Sequence, residues 1–314
     1  MRITFDNIIF SLQRYGGISV VWNELLSRAR ADKDLSVEEL DYKNTLTPRF
    51  MERYRVPVWK PKEPTLFHSS YFRICDDPLA LNITTVHDLT YHYYRKGLPK
   101  AIHLWEEARA LRHSEAVICI SENTKRDVLH FYPWLDEGKI HVVYNGVSEQ
   151  FYPIPSVEKK GYLLYIGNSQ VAYKRFDVAQ EVARLTGIEL VTANKVSLED
   201  LNKMYNEALC LLYPSDYEGF GLPILEAQKA GCPVIAQKAS SVPEVLGNSG
   251  WMVNHDTPQR MAQEMAVIVK EIQSRSTQEM VTTGFENAKR FSWDKTYEQT
   301  KKVYENIYYY HHLQ

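Results

Sequence analysis

Short runs of β-branched and apolar residues alternate along this chain with segments of helical periodicity. That alternation constrains the fold more than any other feature. Strand-like runs fall at residues 2–5, 66–68, 82–86, 116–120 and 140–143, then at 162–166, 188–192, 210–213, 233–236 and 251–253. Helical patterns lie between or after them at 18–30, 100–112, 123–131, 176–186, 198–207, 224–230, 259–274 and 296–311. Strand, helix and strand in succession predict βαβ units with parallel sheets. The strand runs are apolar nearly throughout, as strands covered on both faces must be.

At 314 residues the chain has room for about two such domains. The stretch "FYPIPSVEKKG" at 151–161 carries two prolines, a serine and charges without apolar periodicity, and reads as a linker of partly extended chain. It predicts domains at 1–150 and 151–295, with a last helix at 296–314. A composition of 44% hydrophobic and 24% charged residues is that of a globular protein. The formal net charge of -2 provides no general attraction for nucleic acid, so any anion site must be local. Cys75, Cys119, Cys210 and Cys232 form no metal-ligand spacing, and Cys119 and Cys210 sit in apolar runs as core residues do. No run approaches the ~20 apolar residues of a membrane span. The opening "MRITFDNIIF" lacks the order of a signal peptide, so a cytoplasmic protein is expected.

The segment "CLLYPSDYEGFGLPILEA" reads strand, loop, helix. Pro223 falls where a first-turn helical proline is tolerated. Gly219 and Gly221 allow the backbone to bend sharply and a ligand to come close. The amides and positive dipole end of the helix, from Gly219 through Phe220 and Gly221 to Leu222, form a potential anion site. A dinucleotide fingerprint requires a third glycine where Ile224 stands, and no phosphate-loop lysine follows. An empty glycine-rich turn is the bland alternative. Glu218 and Glu226 argue against it: a carboxylate beside an anion site repels phosphate but accepts hydrogen bonds from sugar and ribose hydroxyls. A nucleotide-sugar satisfies both demands.

"EGFGLPILEA", 218–227, resembles the E-x7-E motif of glycosyltransferase family 4, the retaining GT-B enzymes. The resemblance extends through "RYGGIS", "TVHDLTY", "CISENTKRDV", "VVYNGV" and "GCPVIAQKASSVPEVLGNSGWMV", in the family's order over most of the chain, as in a short bacterial-type member. It implies a GT-B fold, two Rossmann-like domains with parallel sheets facing across a cleft. The first domain would bind the acceptor and the second the nucleotide-sugar, with the last helix crossing back to the first. By match, Glu218 holds donor-sugar hydroxyls, Glu226 the ribose, and Lys195 and Val196 the base. His87 is expected beside the donor sugar as a positioning and electrostatic group, with Asp88 orienting its ring or capping the next turn.

Lys174 and Arg175 in "YKRFD" stand at a helix N-terminus, against the dipole, and a diphosphate there would remove the conflict; a solvated basic turn is the alternative. The family's usual arginine after the preceding glycine is replaced by Asn168, a position Arg175 would have to fill. Gly16 and Gly17 allow main-chain amides to approach a diphosphate, or simply form a turn. Ser121 reads first as an N-cap. The stretch 48–62 mixes basic and aromatic residues, which suits peripheral contact with an anionic membrane or a lipid-diphosphate acceptor, although a solvated loop reads as well. Asp32 and Asp34, the only Asp-x-Asp, are expected on solvated surface, and neither metal nor cofactor is expected. The implied activity is retaining transfer of a sugar from a nucleoside diphosphate to a saccharide or lipid-linked saccharide in surface polysaccharide or glycolipid assembly, at the inner face of a cell membrane. A nucleotide-sugar epimerase and a non-catalytic binding subunit are the competitors.

Overall fold

The computed structural model describes residues 1–13, 16–41, 53, 55, 57, 59–193 and 196–312. Lys195 and most of the 48–62 stretch therefore lie outside the described residues. The chain divides into two compact units, Met1–Gly146 with Trp293–Gln314, and Val147–Ser292.

The first unit contains strands β1 (Arg2–Asp6), β2 (Ser36–Leu40), β3 (Thr65–Ser69), β4 (Ala80–Val86), β5 (Ala116–Cys119) and β6 (Ile140–Val142). All pair in parallel, in the order β2-β1-β3-β4-β5-β6. Its helices are α1 (Ile9–Leu12), α2 (Gly17–Ala31), α3 (Thr90–Tyr94), α4 (Gly97–His113) and α5 (Glu122–Phe131). The pleat explains the apolar runs. In β5, Ala116 and Ile118 join a core with Phe5, Trp22, Leu26 and Tyr304, whereas Val117 and Cys119 point the other way, into a core with Leu111, Val128 and Tyr132. Both sheet faces are covered, so neither set of strand residues can be polar.

The second unit pairs β7 (Leu163–Ile166), β8 (Leu190–Ala193), β9 (Cys210–Tyr213), β10 (Val234–Gln237) and β11 (Trp251–Val253) in parallel, in the order β11-β10-β9-β7-β8. Its helices are α6 (Phe176–Thr186), α7 (Leu198–Glu207), α8 (Leu222–Lys229), α9 (Val242–Leu246), α10 (Pro258–Ser274) and α11 (Gln278–Ala288). The last helix, α12 (Trp293–His312), packs in the first unit, against α2, β3 and β5. In each sheet the strand order reverses once, between β1 and β3 and between β7 and β9, and ligands of open parallel sheets bind at the carboxyl ends of such strands.

Two expectations are corrected. The 151–161 stretch is extended but is no free linker. Phe151 is buried, and the backbone amides of Tyr152 and Ile154 donate to Asn202 and Asn206 of α7 at 3.1 and 2.7 Å. Asp32 is not solvated: it accepts from the Tyr297 hydroxyl at 2.7 Å and pairs with Lys301 at 2.8 Å, pinning α12 to the end of α2. Lys301 also reaches Asp34 at 2.9 Å. Tyr304 of α12 is fully buried, with its hydroxyl 2.6 Å from a His68 ring nitrogen.

Candidate functional site

In the second unit, two loops leave the sheet at its switch point. After β7 the chain makes a single 3₁₀ turn, Ala172–Lys174, and enters α6 through Arg175, whose φ of 53° and ψ of 47° lie in the left-handed region. For a non-glycine residue that conformation costs about 1–2 kcal/mol and persists only where its surroundings hold it. Here they do: the Arg175 Nε lies 2.8 Å from an Asp216 carboxylate oxygen, and the Asp216 amide donates to the Tyr173 carbonyl at 2.8 Å. The loop after β7 is thus tied to the loop after β9.

The second loop runs from Pro214 to Gly221, the N-cap of α8, with Pro223 in the first turn as its sequence predicts. Gly221 has φ 106°, and a Cβ there would stand 3.3 Å from Ile224 Cδ1, so both conformation and space select glycine. No side chain caps α8, which leaves its first turn to backbone and ligand. The loop after β10 braces the turn from behind. Ser240 Oγ accepts from the Glu218 amide at 2.8 Å, and Ser241 Oγ contacts the Glu218 and Phe220 carbonyls at 3.0 and 2.8 Å.

Between these loops the Lys174 ammonium donates to both oxygens of Glu218, at 2.7 Å each. The pair is largely enclosed, with Lys174 24% and Glu218 10% exposed. An ammonium has three N–H groups, so this arrangement leaves one for a further acceptor. One turn into α8, the Glu226 carboxylate accepts from the Tyr205 hydroxyl at 2.9 Å. Enclosure pushes the Glu226 carboxyl up to about 7, with the Tyr205 hydrogen bond only partly opposing it. The recess retains an opening, since Glu226 is half-buried by exposed surface. Tyr213, at the end of β9, is raised well above the usual phenol by burial, and both Glu218 and Glu226 add to that shift. The two carboxylates therefore share one neighbourhood around Tyr213.

Not every expected residue joins them. Asn168 is exposed, and its side chain accepts from the Gln170 amide at 3.0 Å in the turn after β7. Val196 is exposed near the start of α7. In the first unit Gly17 opens α2 and Gly16 precedes it in extended backbone, again with no side-chain cap. Ser121 is the N-cap of α5: its Oγ accepts from the Thr124 amide at 3.0 Å. Asp88 caps the turn into α3 by accepting from the Thr90 amide at 2.9 Å. His87 lines a pocket of about 110 Å³ with Ile18, Tyr71, Phe72, Tyr91 and His103, at the carboxyl ends of β3 and β4. Enclosure lowers the His87 ring to about 4, with Asp88 pulling weakly the other way, so the ring is neutral near pH 7. Among the described residues, no group of three or more His, Cys, Asp or Glu side chains could hold a metal ion.

Sequence reasoning missed Tyr205, Asp216, Ser240 and Ser241. Ser240 carried no local signal, because its left-handed φ of 46° is imposed by the loop. Tyr205 sits one α7 turn from Asn202 and packs edge-on against Phe151, at a position periodicity marks only as core.

Two family models match the chain: Glycosyltransferase Family 4 over residues 41–151, and Glycosyl transferases group 1 over residues 140–271. The chain is 41% identical over 107 residues to O-antigen chain mannosyltransferase B of Escherichia coli, covering 34% of this chain and 27% of that protein. It is 28% identical over 209 residues to the O-antigen chain mannosyltransferase RfbU of Salmonella typhimurium, covering 57% of this chain and 58% of that one. It thus matches less than two thirds of the length of either relative. In fold it is similar to sucrose-phosphate synthase from Thermosynechococcus elongatus, with a TM-score of 0.74 at 16% identity over 98% of this chain and 99% of that chain. It is also similar to Anabaena HepE in complex with UDP-glucose, with a TM-score of 0.69 at 14% identity over 98% of this chain and 100% of that chain. With both models matched in succession and the E-x7-E carboxylates set around Tyr213, the chain belongs to glycosyltransferase family 4 and has the GT-B fold.

Proposed function

We propose that this protein transfers a sugar from a nucleoside-diphosphate-sugar to a hydroxyl of a saccharide or lipid-linked saccharide, with retention at the anomeric carbon and without a metal. The observation that carries the reading is the enclosed Lys174–Glu218 pair beside the uncapped start of α8, with Glu226 one turn further on. Sugar hydroxyls donate to Glu218 and ribose hydroxyls to Glu226. The Lys174 ammonium and the α8 first-turn amides then stabilise the leaving diphosphate, the electrostatic contribution that is usually largest in such chemistry. Arg175 contributes positive charge at longer range, since its guanidinium is engaged by Asp216. With charge compensation supplied by these groups, a metal ion is not needed. Retention follows a same-face path in which a leaving phosphate oxygen takes the acceptor proton, since the further carboxylate of this loop, Asp216, is engaged by Arg175. His87, neutral in its aromatic pocket, acts as the positioning and electrostatic group beside the donor sugar. The mannosyltransferase relatives favour transfer over epimerisation.

A thermal-shift panel of GDP- and UDP-linked hexoses tests this directly: one donor raises the melting temperature, in proportion to its affinity. Glu218→Ala is expected to lower turnover by about 10²-fold or more. No shift with any donor, or wild-type turnover in Glu218→Ala, defeats the reading.

A further inference from the structure

The outward stripe of α4 runs Leu98, Ala101, Trp105, Arg109 and Arg112, spaced three or four residues apart and so on one face of the helix. Leu98 is 72% and Trp105 57% exposed. A helix face turned to water is ordinarily polar. This helix instead turns both of its carboxylates inward. Glu106, 3% exposed, receives Arg53 at 2.8 Å, and Glu107, 0% exposed, is held by His92 and Tyr132 at 2.9 and 2.8 Å. What remains outside is apolar bulk and positive charge.

The neighbouring surface continues the pattern. Tyr93 and Tyr94 of α3 are exposed, and Arg95 and Lys96 follow them. Trp134 is exposed with the Arg112 guanidinium 4.7 Å above its ring, and Arg109 stands 5.8 Å from the Trp105 ring. Two acids border the patch: Asp76 pairs with Arg109 at 2.9 Å, and Asp127 accepts from the Tyr93 hydroxyl at 2.8 Å.

We propose that this α4 face, with Tyr93, Tyr94 and Trp134, docks on an anionic lipid surface. Tryptophan and tyrosine suit the headgroup level, where one end of the ring is apolar and the other wet, and arginine and lysine beside them meet lipid phosphate. Because the whole chain carries a formal charge of -2, the attraction has to come from a local patch such as this one. A second copy of the chain fits poorly, since a two-fold contact would set this patch, with Arg95, Lys96 and Arg112, against the same positive patch of the copy. Of the 48–62 stretch, Trp59 is turned to the protein, where it stacks on Phe67 and donates to Glu38 at 2.9 Å.

Resting on the transferase reading, the patch also indicates how an acceptor arrives. Trp105 and Arg109 line a small recess with Arg53, Arg55 and Phe72, and Phe72 also lines the His87 pocket. An anionic lipid-borne saccharide would pass from the docked face, past the arginines, to His87.

Co-sedimentation of the full chain with phosphatidylcholine vesicles, with and without phosphatidylglycerol, tests the proposal. Binding is expected to the phosphatidylglycerol vesicles alone, to weaken in high salt, and to fall about tenfold or more in Leu98→Ser/Trp105→Ser. Both side chains are exposed, so the variant keeps its fold and its nucleotide-sugar thermal shift. Binding to neither vesicle, equal binding to both, or undiminished binding by the variant overturns the surface. So does a concentration-dependent dimer that the variant loses while wild type ignores vesicles. An absent donor shift with intact vesicle binding defeats the transferase reading and leaves this surface standing.

Discussion

Glu226 is the site residue on whose protonation state the proposed nucleotide contact turns. Its carboxyl is raised to about 7 by enclosure, while the proposed ribose contact requires the acceptor-only carboxylate. Nucleotide affinity should therefore rise with pH, by up to about tenfold per pH unit below 7, and binding near pH 6.5 should release a proton. Isothermal titration in buffers of different ionisation enthalpy measures both, and in Glu226→Gln the pH dependence should vanish. At Gly221, alanine must adopt φ 106° and meet Ile224, which predicts a loss of about 1–2 kcal/mol in stability together with weaker donor binding. A melting curve with and without donor separates the two effects. The carboxylates and the glycine could be read in the sequence because their spacing is local. Tyr205 and Ser240 could not, since one belongs to another helix and the other to the loop after β10.

At the scale of elements, boundaries followed the chemistry of the ends. Of the helices with a serine at the N-cap or a first-turn proline, α5, α7, α8 and α10 begin within two residues of expectation, whereas the five-residue α9 with Pro243 was missed. Strand β2 was missed because "SVEEL" is an edge strand carrying two acids, held by partners distant in sequence: its pairing to β1, Arg30 at Glu39 and Trp59 at Glu38. Helix α11 was missed because Thr282, Thr283 and Gly284 interrupt its propensity. Gly284 is there for packing, since a Cβ would stand 3.3 Å from Gln228 Cγ of α8. The clamp of α12 on α2 makes an element-level prediction. Burial would raise the Asp32 carboxyl, but hydrogen bonds from Lys301 and Tyr297 win and hold it below its usual value. Its contribution is then complete above about pH 4 and is lost as pH falls through the lower folded value. Lys301→Met should cost about 1 kcal/mol at neutral pH and progressively less as pH falls below about 4, as urea unfolding across that range would show.

Across the molecule the two units respond to acid with opposite sign. His68 in the first unit is fully enclosed between Tyr304 and Thr85, and burial lowers its ring to about 3. Burial likewise lowers His87 and His103 to about 4. Unfolding lets these rings protonate near pH 6.5, so the first unit loses stability as pH falls below that value, by about 2 kcal/mol at pH 5 for His68 alone. In the second unit Glu226 is raised, so its burial penalty disappears as pH falls from about 7 toward 4.5, and stability rises. Calorimetry at pH 7 and pH 5 should show the first unit's transition moving down and the second unit's holding or moving up. Parallel shifts of a single transition would contradict this. Tryptophan fluorescence assigns the transitions, because Trp251 is the one tryptophan of the second unit.

By itself the sequence determined the parallel α/β class, the glycine-proline turn into α8, the E-x7-E pair and the family they mark. All of these are encoded in spacings of a few residues, where periodicity, φ preference and helix chemistry act locally. Tertiary structure alone decided that Lys174 closes on Glu218, that Tyr205 supports Glu226, and that Ser240 and Ser241 brace the turn. It also decided that the acids of α4 face inward while its tryptophan and arginines face out. Those outcomes depend on which strands become neighbours across the switch point and which helix face meets the sheet, and no short window of sequence carries that information.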